Sequence, residues 1–207
     1  MSRKTAGVPA GNNNKHILRK RPCAFSAFFD RGTVMSFSEL ARRRRSVRLY
    51  SGSPVPEEDL DRILKAGILA PSSRNIRPVE LIAVRNRNTL EALSRCKTAG
   101  AAMLAQASCA VVVLGDTLRS DVWIEDTSIV MAYMQLQAVD LGIGSCWVQC
   151  RLRSGEDATC EENVRNLLQI PEHYAVEAIL SLGIPAQAPE PAEEPVLTEP
   201  PVHHEKF

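Results

Sequence analysis

The run Cys109-Ala110-Val111-Val112-Val113-Leu114 constrains this chain more than any other stretch. Six apolar residues in unbroken succession, valine-rich and closed by Gly115-Asp116, are too short for a core helix and lack the alternation of a half-exposed strand. They read as a strand buried on both faces. Such a strand requires a covering layer on each side of its sheet. The segment from about Thr127 to Leu141 supplies a covering helix. It carries almost no charge, so most of its surface is expected to be buried. Ile129, Tyr133, Leu136 and Leu141 lie on or near one face, flanked by Ala132 and Val139, and Gly142 stops it.

Shorter elements surround these two. Ser36-Phe37-Ser38-Glu39 suits a helix start. A turn follows at Ser51-Gly52-Ser53-Pro54, and a second helix has Pro56 at its first position and Glu57, Glu58 and Asp59 at its positive end. Its inward face is Leu60, Ile63, Leu64, Gly67 and Ile68, and Pro71 terminates it. Val79–Val84 reads as a strand, Thr89–Cys96 as a helix with Leu90 and Leu93 inward, and Ala99–Ala107 as a small-residue helix. Ser145–Gln149 is a further strand. Glu156–Ile170 is an amphipathic helix with Val164, Leu167 and Leu168 inward, and Val176–Leu182 is a last strand closed by Gly183. Strands and helices alternate without strict repetition, which points to an α+β fold: a sheet between layers of helices.

With 207 residues the chain has enough length for one sizeable core. A net charge of +1 gives no global reason to expect nucleic acid or a membrane surface as partner, and no apolar run reaches the length of a membrane span. Residues 1–34 are basic and glycine/asparagine-rich, with seven Lys and Arg against the single acid Asp30. They read as a disordered extension or as the product of a start codon placed too early, with Met35 opening the organised part. No secretory leader is read here, and a cytoplasmic location is expected. The organised domain is assigned to 35–184. Residues 185–207 form a proline- and glutamate-rich arm that cannot be helical. The six cysteines form no CxxC pair and no histidine stands at metal-finger spacing, so buried reduced thiols are expected and no metal site.

Three constellations carry chemistry. Arg44-Arg45-Ser46-Val47-Arg48 gathers three guanidiniums and a hydroxyl where a helix runs into a turn, and forked cationic donors of this kind suit a phosphate. Ala70-Pro71-Ser72-Ser73-Arg74-Asn75-Ile76-Arg77-Pro78 packs hydroxyls, an amide and guanidiniums into a loop held between prolines, the directional polar support that a planar ring requires. Gly142-Ile143-Gly144-Ser145-Cys146-Trp147 looks like part of a dinucleotide fingerprint, but it follows a helix and lacks the third glycine. Its glycines permit close approach of backbone to a ligand, or simply a helix stop and tight turn.

Taken in order, RRSVRLY, APSSRN-IRP, EDTSIVMAYMQLQAVDLGIGSCWV and IPEHYAVEAILSLGIP resemble the nitroreductase family over about residues 36–207. The resemblance implies an α+β fold with a central, mostly antiparallel sheet flanked by helices, in an intertwined homodimer that holds FMN between subunits. It implies a flavin-based NAD(P)H oxidoreductase with no side-chain nucleophile, NADH or NADPH as reductant, and a nitroaromatic, quinone or similar small acceptor. Arg44, Arg45, Ser46 and Arg48 would hold the FMN phosphate and ribityl chain. Pro71, Ser72, Ser73 and Asn75 would line the ring from the other subunit, and Ile143, Gly144 and Ser145 would present backbone groups near it. Arg77 stands where many members carry glutamine and is a candidate for electrostatic support of the reduced ring. The acidic tail lacks a late basic pair that some members use on the phosphate. A non-catalytic flavin-binding sensor, or a relative specialised for flavin or halogenated substrates, remains compatible with the same motifs.

Overall fold

The computed structural model describes residues 35–193 and 202–206; the readings made for 1–34 and for residues 194–201 and 207 of the arm lie outside them. Four strands form one sheet in the order β1-β2-β4-β3, with every pairing antiparallel: β1 Val79–Val84, β2 Cys109–Asp116, β3 Gly144–Gln149 and β4 Tyr174–Gly183. The apolar run is the heart of β2, and all eight residues of that strand are buried. Its alternation is hidden in sequence because both faces are covered. Ala110, Val112 and Leu114 enter one apolar cluster with Leu90, Leu93 and Val164, while Cys109, Val111 and Val113 enter the other with Leu60, Ile63 and Met134.

The first cluster is covered by α3 (Arg87–Leu93), a 3-10 segment (Ala102–Gln106) and α5 (Cys160–Leu168). The second is covered by α2 (Glu57–Ile68) and α4 (Trp123–Asp140). α1 (Phe37–Arg43) is capped by Ser36, whose hydroxyl accepts from the Glu39 amide at 3.2 Å, and it buries no residue. One residue sets the local geometry at the sheet's far end. The β2–β4 register shifts between Val113 and Leu114, so Glu177 is an extra residue in β4. Its carbonyl accepts from the amides of both Cys150 and Arg151 at 3.0 Å, which fixes the turn leaving β3.

Several expectations are corrected. Pro56 is the N-cap of α2, one position outside the helix. Ile68 is 61% exposed and Leu167 is 41% exposed. Both sit at the edges of their helices' apolar stripes, because at about 100° per residue Ile68 lies roughly 80° round from Leu60. The small-residue segment forms only a 3-10 stretch over Ala102–Gln106, and the helix expected over Thr89–Cys96 runs from Arg87 to Leu93, started by the Asn86 cap. α5 is shorter than expected because Thr159 and Glu162 close a reciprocal capping box that starts the helix there. α4 begins a turn earlier, at Trp123, and its inward face is Val130, Met131, Met134 and Ala138. Ile129, Ala132 and Tyr133 point away from the sheet, Leu136 is half-buried, and only Leu141 and Val139 face as expected. The arm's described beginning lies on its own chain: Ala186 donates to the Leu49 carbonyl at 3.0 Å and Ala192 to that of Arg42 at 2.8 Å.

Candidate functional site

The segment after α1 runs alongside the start of β3. Val47 donates to the Ser145 carbonyl at 2.9 Å, and Ser46 forms a parallel bridge with Ser145. The approach is close. A side chain at Gly144 would place its Cβ 2.8 Å from Val47 Cγ1 and 2.9 Å from Pro185 Cγ. Tyr50 anchors the segment to the sheet. Its hydroxyl donates to the Val47 carbonyl at 3.0 Å and meets the Ser181 hydroxyl at 2.7 Å, and burial drives its phenol well above the ordinary range. An open cleft of about 290 Å3 results, lined by Arg45, Val47, Ile143, Gly144, Ser145 and Pro185.

The charges around this cleft differ from those nearby. Arg42 and Arg43 pair with Glu39. Among the described residues Arg44, Arg45 and Arg48 have no acidic partner, and Arg48 reaches only the Ser46 carbonyl, at 3.4 Å. Beside them Ser145, 2% exposed, keeps a hydroxyl with no hydrogen-bond partner. A buried orphan hydroxyl costs about 1–3 kcal/mol unless something fills its place. Unpaired guanidiniums next to it make this a place for an anionic, hydrogen-bonding group.

The second constellation lies elsewhere. Loop 71–78 leaves α2 through a short 3-10 turn, Ser73–Asn75, and enters β1. Three non-glycine residues adopt positive φ: Arg74 (52°), Asn75 (55°) and Arg77 (53°). Each such residue costs on the order of 1–3 kcal/mol and persists only where surroundings enforce it. They do so here. The Ser73 amide donates to the buried Asp126 carboxylate at 2.8 Å, the Arg77 amide to the Ser72 hydroxyl at 2.9 Å, and Arg77 Nε to the Asn75 side chain at 3.1 Å. Arg119 reaches the Ile76 carbonyl at 2.8 Å, and Arg74 pairs with Asp121. The Asp121 carboxyl is held below its ordinary value, first by a backbone hydrogen bond and then by the Arg74 guanidinium. Pro71, Ser72 and Arg77 line a second cleft of about 420 Å3 with Val79, Leu81 and Val130.

Of the residues singled out in sequence, Arg45, Ile143, Gly144 and Ser145 therefore share one cleft, with Arg44, Ser46 and Arg48 on the strand-like segment that borders it. Pro71, Ser72 and Arg77 share the other, with Ser73 and Asn75 in its supporting turn. Val139 borders the first cleft and Val130 the second. Val130 and Val139 stand nine positions apart on α4, about 14 Å along the helix axis. Within one chain the two constellations do not meet. Sequence reasoning missed Asp126 and Arg119 as supports of the loop and Pro185 as a wall of the first cleft. Their partners are distant in sequence, and only the packing of α4 and of the sheet brings them close.

The family model described as the nitroreductase family matches residues 41–99 and 94–184. An Archaeoglobus fulgidus protein named "Putative NADH dehydrogenase/NAD(P)H nitroreductase" is 40% identical over 146 residues, covering 69% of this chain and 81% of its own. A Thermus thermophilus protein named NADH dehydrogenase is 28% identical over 191 residues, covering 74% of this chain and 89% of its own. Among solved structures, an FMN-dependent nitroreductase from Clostridium difficile R20291 superposes with a TM-score of 0.78 at 39% identity, covering 82% of this chain and 99% of that one. The antiparallel sheet with its two helical layers, the arginine segment on β3 and these likenesses agree: the chain belongs to the nitroreductase family, a family of oxidoreductases. Among the described residues no helix is long and apolar enough to cross a membrane.

Proposed function

We propose that the protein is an FMN-dependent NAD(P)H oxidoreductase acting as a homodimer, reducing a nitroaromatic, quinone or similar small acceptor. The observation that carries this reading is the set of guanidiniums without an acidic partner among the described residues, Arg44, Arg45 and Arg48, on the segment that pairs with buried Ser145 and its orphan hydroxyl. A phosphate with a polyhydroxyl chain supplies what both lack: negative charge for the arginines and a hydrogen-bond partner for the serine. The family likeness, and the printed description of the Clostridium difficile relative as FMN-dependent, support the same group.

The chemistry that FMN supplies when bound is two-electron transfer, from NADH or NADPH to the acceptor in alternating ping-pong half-reactions. The chain's own residues bind and orient. Arg44, Arg45, Ser46 and Arg48 hold the phosphate and ribityl end, and the backbone of Ile143, Gly144 and Ser145 borders it. Pro71, Ser72, Ser73 and Asn75 of a second copy line the ring. The strained, cross-braced turn keeps their donors fixed, so little ordering cost falls on binding. Arg77, in the same loop, would supply positive charge to support the reduced ring. The homodimer reading is supported by the 14 Å along α4 between Val130 and Val139, which border different clefts, and by the outward apolar face of α4, where Ile129 is 36% and Tyr133 41% exposed.

The test is direct. The purified full-length protein shows an oxidised-flavin spectrum, NADH or NADPH bleaches it anaerobically, and a nitroarene or quinone restores it. A protein that stays colourless after FMN is added and the excess removed defeats the reading.

A further inference from the structure

Three buried cysteines that the flavin site does not use converge at the other end of the sheet. Cys96 follows α3, Cys150 follows β3 and Cys160 opens α5; they are 3%, 0% and 0% exposed. Their sulfur atoms all lie within 4.8 Å of one another, and Cys160 Sγ stands 3.3 Å from Cys96 Sγ. We propose that these three thiols form a binding site for a single thiophilic d10 metal ion, copper(I) or zinc(II), whose role is to staple α3, β3 and α5 together.

The geometry supports this point by point. Metal–thiolate bonds of about 2.3 Å set sulfur–sulfur separations of roughly 3.8–4.0 Å in tetrahedral or trigonal sites, and the three sulfurs need only small rotamer adjustments to reach them. The ligands are soft, as copper(I) and zinc(II) prefer. The backbone around them is already fixed. The Cys150 amide is held at 3.0 Å by the carbonyl of Glu177, the extra residue of β4. Asn163 Nδ2 donates to the Cys96 carbonyl at 3.0 Å, and the Cys160 amide donates to the Arg153 carbonyl at 2.8 Å. Half-buried Lys97 donates to the Gln149 carbonyl at 2.9 Å, anchoring a positive charge one residue from two of the ligands. That charge offsets the excess negative charge of three thiolates on one ion. No other His, Cys, Asp or Glu of the described residues joins the group, and the buried position leaves little access for a water as fourth ligand. Three-coordinate copper(I) is therefore the better-matched occupant.

The site is independent of the flavin. Ser145 borders the first cleft and Cys150 lies five residues further on, just past the end of β3, about 17 Å away at strand rise. The ion has no substrate position here, and its consequence is rigidity of the α3–α5 layer.

The experiment uses the reduced full-length protein, handled anaerobically, with copper(I) in one arm and zinc(II) in the other. Each arm is followed by removal of free metal against a weak competing chelator and elemental analysis. About one ion per chain is expected to be retained in at least one arm, with a rise in Tm, and cadmium(II) substitution should produce a thiolate charge-transfer band in the near ultraviolet. Cys150→Ala and Cys160→Ala should each lose the bound ion. Cys109→Ser, which alters a buried cysteine outside the cluster, should retain it, and FMN content should be the same with and without metal. Two of these outcomes reverse the proposal: no ion retained in either arm, or equal retention by the Cys150→Ala and Cys160→Ala proteins. A thiol count under denaturing conditions that is two short of six, restored by reductant and unaffected by metal, would assign the cluster instead to a disulfide pair.

Discussion

Val47 and Ser145 are joined by a 2.9 Å hydrogen bond from amide to carbonyl, and through it the arginine segment becomes a rider on the edge of β3. The bond holds against the sheet the segment that carries Arg44, Arg45 and Arg48, three guanidiniums with no acidic partner among the described residues. It also makes the phosphate grip depend on two separable things, the charges themselves and the strand edge that carries them.

Removing the charges leaves the edge intact. Arg44→Ala combined with Arg48→Ala is expected to weaken FMN binding by about 100-fold or more, since each charge-assisted hydrogen bond contributes roughly 1.5–3 kcal/mol. Tm of the flavin-free protein should stay within about 2 °C of wild type, because neither side chain is buried. Flavin titration by fluorescence quenching measures the first quantity and calorimetry the second. Unchanged FMN affinity would place the phosphate elsewhere.

Disturbing the edge leaves the charges intact. In Gly144→Ala the added methyl meets Val47 and Pro185 at 2.8–2.9 Å. A β-branched side chain and a proline ring have little freedom to move aside. Overpacking of this kind costs about 1–3 kcal/mol. The flavin-free protein should therefore lose several degrees of Tm as well as FMN affinity, whereas the double arginine variant loses affinity alone. A Gly144→Ala protein with wild-type Tm would mean that the segment yields freely and that β3 does not position it.

How far the sequence disclosed this arrangement depends on whether the controlling contacts are local. β2 was legible because burial on both faces leaves an unbroken apolar run, and the Ser36 and Pro71 boundaries were legible because caps and prolines act within one turn. The length of α4 was nearly legible, but its facing was not. When apolar residues surround a helix, periodicity does not say which arc meets its own sheet, and the chosen arc of Ile129, Ala132 and Tyr133 turned out to point away from it. The Ala99–Ala107 segment failed for a related reason. Small side chains bury too little area to hold a full α-helix against the 3-10 alternative. The cysteine cluster was invisible because its members stand 54 and 10 positions apart, with no short-range spacing to mark them. The β3–β4 pairing and the extra residue Glu177 place Cys150, and the packing of the end of α3 on α5 brings Cys96 and Cys160 to it. The arginine and serine motifs were legible as chemistry. Their division between two clefts was not, since only the span of α4 reveals it.

The capping box of α5 gives stability a pH dependence with a defined sign. Glu162 accepts from Thr159, whose hydroxyl hydrogen bond is the main cause, and its backbone bond the next, of a carboxyl pKa below the ordinary 4.5. The folded-state value is lowered, so this contribution is fully present above the unfolded value and is lost as pH falls through the folded one. Glu162→Gln keeps a side chain that can cap but removes the ionisation. It should lower stability above the ordinary carboxylate range, leave the strongly acid end least changed, and so flatten the slope of stability against pH below about pH 4.5. Thr159→Ala should cost about 1 kcal/mol at neutral pH, or roughly 2–4 °C in Tm. Urea denaturation at a series of pH values distinguishes the two variants; parallel curves for wild type and Glu162→Gln would show that the box carries no ionic component.

The outward face of α4 provides the sharpest test of the assembled site. Ile129 and Tyr133 stand one turn apart and are 36% and 41% exposed in the single chain, next to half-buried Leu136. If a second copy covers them, Ile129→Asp with Tyr133→Asp buries two unpaired carboxylates at the interface. That is costly enough to shift the protein from two chains to one in sedimentation. Neither residue borders the two clefts or supports their hydrogen bonds, and both point away from the core, so the fold and its far-ultraviolet spectrum should persist. The separated chain then keeps Arg44, Arg45 and Arg48 and loses the loop 71–77 of its neighbour. FMN affinity should fall steeply, and the flavin that does bind should show the absorption and fluorescence of a solvent-exposed ring. A double variant that becomes monomeric yet holds FMN as tightly as wild type would show that one chain suffices. The 14 Å between the clefts would then have to be bridged within it.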